Sequence, residues 1–383
     1  MTPRTRLRLA LAHKEPDRIP FDLGSSRVTG ISLIAYHRLR RLLGLPDQEA
    51  SVADLKQGLA QPHEDLLKHL HVDTRGLFPR PPRDWNPTLR RDAGYRSFTD
   101  EWGITWSTPE DGGLYYDMTA HALGGPISLT EVRAHPWPNG ADSSRLEGLA
   151  GDARRLADEG YGLVLVGVTS GVVEQSAWLR GFGDFYCDLA ADPDLACAVM
   201  DAVLDVKLAF WGAALAEVGE LAQVAVEADD LADQRGLVVS RDTYRRFIKP
   251  RHRRLFEFIH EHGEARVLFH SCGAVRELIP DLIEAGVDIL NPVQVSAAGM
   301  DTAVLKREFG DALTFWGGGV DTQRVLPRGT AQEVRDEVRR RIDDLAPGGG
   351  FVFAAVHNIQ ADVPAENIEA MWQAMRECGV YGG

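Results

Sequence analysis

Between Tyr161 and Cys378 the sequence runs six times through the same alternation, a short apolar run followed by a stretch of helical periodicity. The apolar runs are Tyr161–Val168, Gln223–Glu227, Arg266–His270, Val287–Asn291, Leu313–Gly317 and Phe351–His357. The helical patterns after them cover about Gly183–Glu217, Asp242–His262, Val275–Glu284, Met300–Phe309, Ala331–Leu345 and Ala365–Cys378. Strands that alternate with helices in this order form a parallel sheet with crossover helices. Two further runs lie upstream, Arg18–Gly24 and Val72–Phe78, beside helical segments Leu33–Leu43 and Asp54–Leu70. Eight such strands predict an α/β fold, a (β/α)8 TIM barrel rather than an open doubly wound sheet.

The region from about Asp92 to Trp137 breaks this rhythm with aromatics, turn residues such as Asp111-Gly112-Gly113, and alternation in Gly103–Ser107. It reads as a β-meander inserted in the N-terminal half, so residues 1–383 are expected to form one barrel domain with a β-rich insertion at 92–137. At 44% hydrophobic and 26% charged residues, the composition is that of a soluble globular protein. No stretch approaches the ~18 consecutive apolar residues of a membrane span. The first residues are basic, but Ala10–Arg18 is not the apolar core of a signal peptide. Four cysteines without framework spacing point to a reducing cytoplasm. A net charge of −14 argues against a nucleic-acid partner.

Chemistry in a barrel of this kind sits at the C-terminal strand ends. Collected there are Asp22, Arg75, Glu174, Glu227 with Asp229 and Asp230, His270 with Cys272, Asn291 with Gln294, Asp321 with Gln323, and His357 with Asn358. Arg75 and Arg27 have the guanidinium geometry that pairs with a substrate carboxylate. Surface salt bridges are the alternative, and for Arg27 the preferred one. The glycine turns Trp316–Asp321 and Gly348–Gly350 lack the lysine and the spacing of phosphate-binding loops and read as tight turns.

His270-Ser271-Cys272-Gly273 is the most specific of these segments. Residues i and i+2 of a strand face the same way, so an imidazole and a thiol project together from its end. That is half of a zinc site, whose nitrogen and sulfur ligands lie at ~2.0–2.3 Å. A buried cysteine packed beside a hydrogen-bonded core histidine is the other reading. His357 ends the last apolar run and is the third candidate ligand; without a metal it would be a general acid or a hydrogen-bond donor to substrate. Glu227 is a candidate fourth ligand, although it, Asp229 or Asp230 could instead bind substrate or cap the next helix.

From about Gly160 to the C-terminus, and more loosely from Ile19, the chain resembles the uroporphyrinogen decarboxylase superfamily. The resemblance is carried by Ser240–Pro250, His270–Gly273, Glu284–Asp288, Phe315–Asp321 and Val356–Met371. It implies the same barrel. The decarboxylases of that superfamily hold substrate carboxylates with an N-terminal Arg-Gln-Ala-Gly-Arg segment; here the stretch is Asp22–Arg27, with a single arginine. Its corrinoid-dependent methyltransferases bind zinc through His-x-Cys and a later cysteine, and the metal lowers the pKa of a thiol that accepts a methyl group. His270 and Cys272 match that branch, while His357 stands where the later cysteine would be, as in the decarboxylases. Val226–Gln234 and Asn291–Gln294 match neither branch closely and suggest a subfamily with its own polar substrate.

The resemblance therefore implies a zinc-dependent methyltransferase or demethylase, with Zn2+ on His270, Cys272 and His357 and a corrinoid carried by a separate protein. His357, Glu227 and Asp229 are the catalytic candidates. Asp22, Arg75, Glu174, Asn291, Gln294 and Asn358 are the candidates for binding a small-molecule substrate. The alternative is a metal-free decarboxylase-like lyase with His357 as proton donor and Arg75 or Asp22 orienting the substrate, and a third, non-enzymatic reading is a corrinoid- or tetrapyrrole-binding accessory protein. A homodimer is the other partnership left open.

Overall fold

The computed structural model describes residues 1–85 and 87–382. Seven parallel strands form one curled sheet: β1 (Thr74–Leu77), β2 (Gly162–Val166), β3 (Val224–Ala228), β4 (Arg266–His270), β5 (Ile289–Asn291), β6 (Thr314–Trp316) and β7 (Phe351–Val352). The segment around Phe21 supplies the eighth stave. Phe21 makes a parallel bridge to Phe353. On that side Asp22 N donates to Phe353 O and Phe353 N to Pro20 O, each at 2.9 Å, and on the other Asp73 N donates to Phe21 O at 2.8 Å. The sheet thereby closes into the (β/α)8 barrel that the eight apolar runs predict.

The strands carry apolar side chains on both faces, as buried parallel strands do. Val164, Val224, Val226, Leu268, Ile289, Trp316 and Val352 turn inward and form one cluster with Leu7 and Ala10 of α1 (Pro3–Leu11). α1 thus plugs the N-terminal end of the barrel, where Gly350 N donates to Ala10 O at 3.1 Å. The alternate residues Leu163, Leu165, Ala225, Val267, Phe269, Leu290 and Phe315 turn outward into the core shared with the helices. The chemistry is left to the opposite, C-terminal mouth.

Four antiparallel strands, Arg90–Asp92, Tyr95–Thr99, Thr105–Pro109 and Asp117–Ala120, form the inserted meander. Phe98, Trp102, Ile104 and Trp106 pack there against Leu179 of α2 (Val172–Arg180) and Val199 and Val203 of α3 (Pro193–Val218). Two helical expectations need correction. Asp54–Leu70 is not one helix: a short hairpin pairs Val52–Asp54 with Leu59–Ala60, and a helix spans only Glu64–His69. Gly58 at φ +61° makes the tight turn, and Pro62 disfavours helix in the residue before it. Gly183–Glu217 is broken at Pro193, which opens α3 behind an Asp192 cap. Among the described residues no helix is long and apolar enough to cross a membrane.

Asp73 holds the closure together. It is 0% exposed and accepts from Arg6 Nη1 at 2.6 Å, Arg18 Nη1 at 2.7 Å and Phe21 N at 2.8 Å. One carboxylate therefore joins α1, the closing stave and the start of β1. Asp73→Ala would leave two guanidiniums facing an empty partner site, and unpairing a buried ion of this kind costs about 3–5 kcal/mol. Urea unfolding followed by circular dichroism should show that loss; a variant within about 1 kcal/mol of the parent would mean the closure does not rest on Asp73.

Candidate metal centre

β4 places His270 on the inward face, and the chain after it is pinned residue by residue. Ser271 N donates to Asn291 O at 2.7 Å. Leu231 N donates to Ser271 Oγ at 3.1 Å, Cys272 N to Asp230 Oδ1 at 2.8 Å and Gly273 N to Gln294 Oε1 at 2.6 Å. Gly273 has φ +91°, and a Cβ there would lie 2.5 Å from the carbonyl oxygens of Ala232 and Asp233. Only glycine fits this turn without moving backbone.

The imidazole of His270 is oriented from behind. Asn291 Nδ2 donates to Trp316 O at 2.8 Å, which fixes the amide and turns its Oδ1 toward His270. His270 Nδ1 lies 2.5 Å from that oxygen and carries the proton of the bond. Nε2 is left with a free lone pair, 3.4 Å from Cys272 Sγ. His357 enters from the far side of the mouth, its ring centroid 5.3 Å from that of His270. One ligand atom each of His270, Cys272 and His357 lie within 4.8 Å of one another. A protonated Nδ1 fixed by a polar neighbour with Nε2 presented to the site is how metal-binding histidines are usually held.

Burial keeps this cluster uncharged without a metal. It lowers the pKa of His270, against the opposing pull of Asp230 and the Asn291 hydrogen bond. Burial, with His270 alongside, holds His357 down at about 3. Burial first, then Asp230 and Glu174, push the Cys272 thiol well above the usual range. The three groups are therefore two neutral imidazoles and a thiol beside carboxylates, a donor set that a divalent cation fits, since it favours the thiolate and needs neutral rings.

The other residues singled out from the sequence divide by strand parity. Glu227 pairs in register with Phe269 and so faces outward, whereas Ala228 pairs with His270. Its carboxylate meets Trp211 Nε1 at 2.6 Å and Lys207 Nζ at 2.9 Å, both on α3, behind the barrel wall. Arg75 likewise faces outward, bound to Glu64 at 2.7 Å and stacked 3.8 Å from the Tyr161 ring. Asp22 lies inward but beneath the mouth, accepting from Thr74 Oγ1 at 2.6 Å and Trp316 Nε1 at 2.8 Å. Asp229 caps α2, accepting from Val173 N at 3.1 Å, Glu174 N at 2.6 Å and His252 Nε2 at 2.8 Å. Asn358 ties loops together through Gly30 N at 2.6 Å, Arg27 O at 2.9 Å and Gln57 Oε1 at 2.8 Å. Gln294 supports the Gly273 turn. Of the substrate-binding candidates, Glu174 is the one whose carboxyl acts electrically on the cluster.

Sequence reasoning passed over Lys56, because its hairpin read as helix. Its ammonium sits 3.9 Å from the Trp106 ring centroid and 5.1 Å from that of Trp178, and bonds Asp100 at 3.0 Å. The hairpin is thus clasped to the meander beside the mouth. Arg27, expected at a surface salt bridge, does pair with Asp54 at 3.9 Å, but it is partly buried and also donates to Gly167 O at 2.9 Å. Tyr186 is also close to the carboxylates: burial, then Asp229, Glu174 and Asp230, push its phenol up to about 12.

Burial, then Asp230 and Asp229, raise Glu174 to about 8, against a stabilising bond from the Ser170 hydroxyl. An acid raised in the folded state keeps its proton while the unfolded chain has lost it. Stability therefore falls as pH rises from the unfolded value of 4.5 to about 8, then levels off. In chelator-treated protein, Glu174→Gln should gain in urea midpoint relative to the parent between pH 5 and 8. A constant difference across that window would show that Glu174 ionises normally.

Residues 120–378 match the sequence profile of the family described as uroporphyrinogen decarboxylase (URO-D), more than half of the chain. A methylated-thiol–coenzyme M methyltransferase of Methanosarcina mazei is 26% identical over 219 residues, 56% of this chain and 50% of that protein. The chain thus spans about half the length of the curated relative it matches. A solved methyltransferase structure from Methanosarcina mazei superposes with a TM-score of 0.67 at 19% identity, covering 98% of this chain and 99% of that one. The second likeness shows the fold. The first shares a stretch of sequence with a protein whose name is that of a methyl-transferring enzyme. The chain belongs to the uroporphyrinogen decarboxylase family.

Proposed function

We propose that the protein is a zinc-dependent methyltransferase or demethylase that exchanges a methyl group between a small substrate and a corrinoid carried on a separate protein. The observation that carries this reading is the convergence of His270, Cys272 and His357, whose ligand atoms lie within 4.8 Å of one another. The sequence similarity to the Methanosarcina methylthiol enzyme supports the reaction class. Bound zinc would supply the acidity that turns a substrate thiol into a thiolate at neutral pH. The chain's own residues do the rest. Asn291 holds His270 in one tautomer, and the Asp230 and Gln294 hydrogen bonds hold the Cys272–Gly273 turn at the strand end.

The decarboxylase-like reading has His357 as proton donor, as a cation, and Arg75 or Asp22 orienting the substrate, and Asp22 is taken up by Thr74 and Trp316. His357 held at about 3 is neutral at pH 7, and Arg75 is engaged with Glu64. Both observations favour metal binding over that alternative.

Protein purified without chelator should carry one zinc per chain. Chelator-treated protein should lose transfer between methylcob(III)alamin and a thiol such as methanethiol, and regain it with zinc. Zinc absent from the purified protein and not taken up on addition would sink the proposal. Asn291→Leu removes the group that sets the His270 tautomer, and zinc affinity measured by chelator competition should fall roughly 10- to 100-fold. An unchanged affinity in a folded variant would mean that His270 needs no such support.

A further inference from the structure

The inserted meander contributes no residue to the His270, Cys272 and His357 group, yet it is built around a cation that belongs to another element. The turn of the Val52–Ala60 hairpin sends two adjacent side chains to different parts of the fold, Lys56 to the meander and Gln57 to the chain after β7. We infer that Lys56 and Gln57 are positioning residues for His357: Lys56 clasps the hairpin to the meander, and Gln57 thereby anchors the loop that carries His357 into the mouth. Neither role depends on which chemistry the site performs.

The cage that receives Lys56 is ordered by bonds of its own. Asp100, 7% exposed, accepts from Trp102 N at 3.0 Å and Ile104 N at 3.1 Å through Oδ1, and from Trp106 Nε1 at 2.8 Å through Oδ2. Trp106 of the meander meets Trp178 of α2 edge to face, with ring centroids 5.3 Å apart. The Lys56 ammonium bonds Asp100 at 3.0 Å and lies within ~6 Å of both indole centroids, where the ring face attracts a cation. Tyr116 N adds a bond to Lys56 O at 2.9 Å. Meander, α2 and hairpin are thus joined at one point.

One residue further on, Gln57 N donates to Asp54 Oδ1 at 2.9 Å, which fixes the turn. Gln57 Oε1 accepts from Asn358 Nδ2 at 2.8 Å, and the other Nδ2 proton goes to Arg27 O. Asn358 is 0% exposed, so removing the Gln57 amide leaves a buried donor without a partner. Asn358 N in turn donates to His357 Nδ1 at 2.8 Å. The backbone that Gln57 holds therefore also sets the rotation of the His357 ring. The rival account is that the hairpin merely covers the rim, with His357 placed by β7 alone.

Ring-nitrogen NMR of metal-free protein carrying isotope-labelled histidine separates the two accounts, with His357 assigned by the signals lost in His357→Gln. The ring is neutral at pH 7, and the parent should show one tautomer, Nδ1 bare and Nε2 protonated. Gln57→Leu and Lys56→Met should each move both signals toward the average of the two tautomers. Gln57→Glu keeps the acceptor for Asn358 and Lys56→Arg keeps the cation, so both should stay close to the parent. Urea midpoints establish that each variant is folded, and Gln57→Leu, a change in a turn, carries the test alone if Lys56→Met does not fold. A parent-like spectrum in folded Gln57→Leu or Lys56→Met would overturn the role given to that residue. Averaged signals in the parent itself would overturn both.

Discussion

The site depends on closure of the barrel, and closure depends on a short segment that has almost no strand of its own. Phe21 is a single bridge residue, yet its neighbours hydrogen-bond to Phe353 on one side and Asp73 on the other. Asp73 adds two guanidiniums to the same joint. His270 lies at the end of β4 and His357 beyond β7, so an open sheet would splay them apart. Their rings come within 5.3 Å because the sheet returns on itself. A buried carboxylate at one end of the barrel is thus a condition for the meeting of His270 and His357 at the other.

The second constraint is the two-residue period of the strand, which sorts acids between the mouth and the wall. Glu227 and Asp229 are each within a few residues of the mouth in sequence. One faces out to form a buried pair with Lys207, and the other caps α2. Both are buried carboxylates of the kind that marks active sites, yet their bonds run to α3 and α2 rather than to the cluster. Asp230, a single position further on, reaches Cys272 and His270 instead. Proximity to a strand end is therefore a weak guide, and the direction of the side chain decides the role.

How much of this was legible follows from the length scale of each signal. Apolar runs such as Val267–Phe269 and Gly162–Val166 are local, and the eight of them were enough to define the barrel. Within the expected β segment 92–137 the strands end at Ala120, and Leu129–Ala134 is a helix opened by the Ser128 and Glu131 capping box, a signal the aromatic and turn residues obscured. The break at Pro193 was readable in principle but was masked by helical periodicity on both sides. The hairpin at Val52–Ala60 was not recognised, because its few residues gain their order from contacts far away in sequence: Ser32 pairs with Leu59, and Lys56 with Trp106. The His270 and Cys272 pair was legible from spacing alone. Asn291 was singled out as a substrate group, yet its observed partners are the His270 ring and the Trp316 carbonyl, a bridge between three strands that no single segment encodes.

Histidine at position 357 brings these threads together. A thiolate there would repel Asp230 and Glu174, which already press on Cys272. An imidazole does not. It tolerates carboxylates nearby, it is held neutral by burial, and Asn358 N donates to its Nδ1 at 2.8 Å, which puts the ring proton on Nε2, so that binding a metal through Nε2 requires this bond to give way. The acids at the mouth and the histidine are compatible neighbours: a neutral ring adds no charge to a cluster on which Asp230 and Glu174 already act, where a second thiolate would.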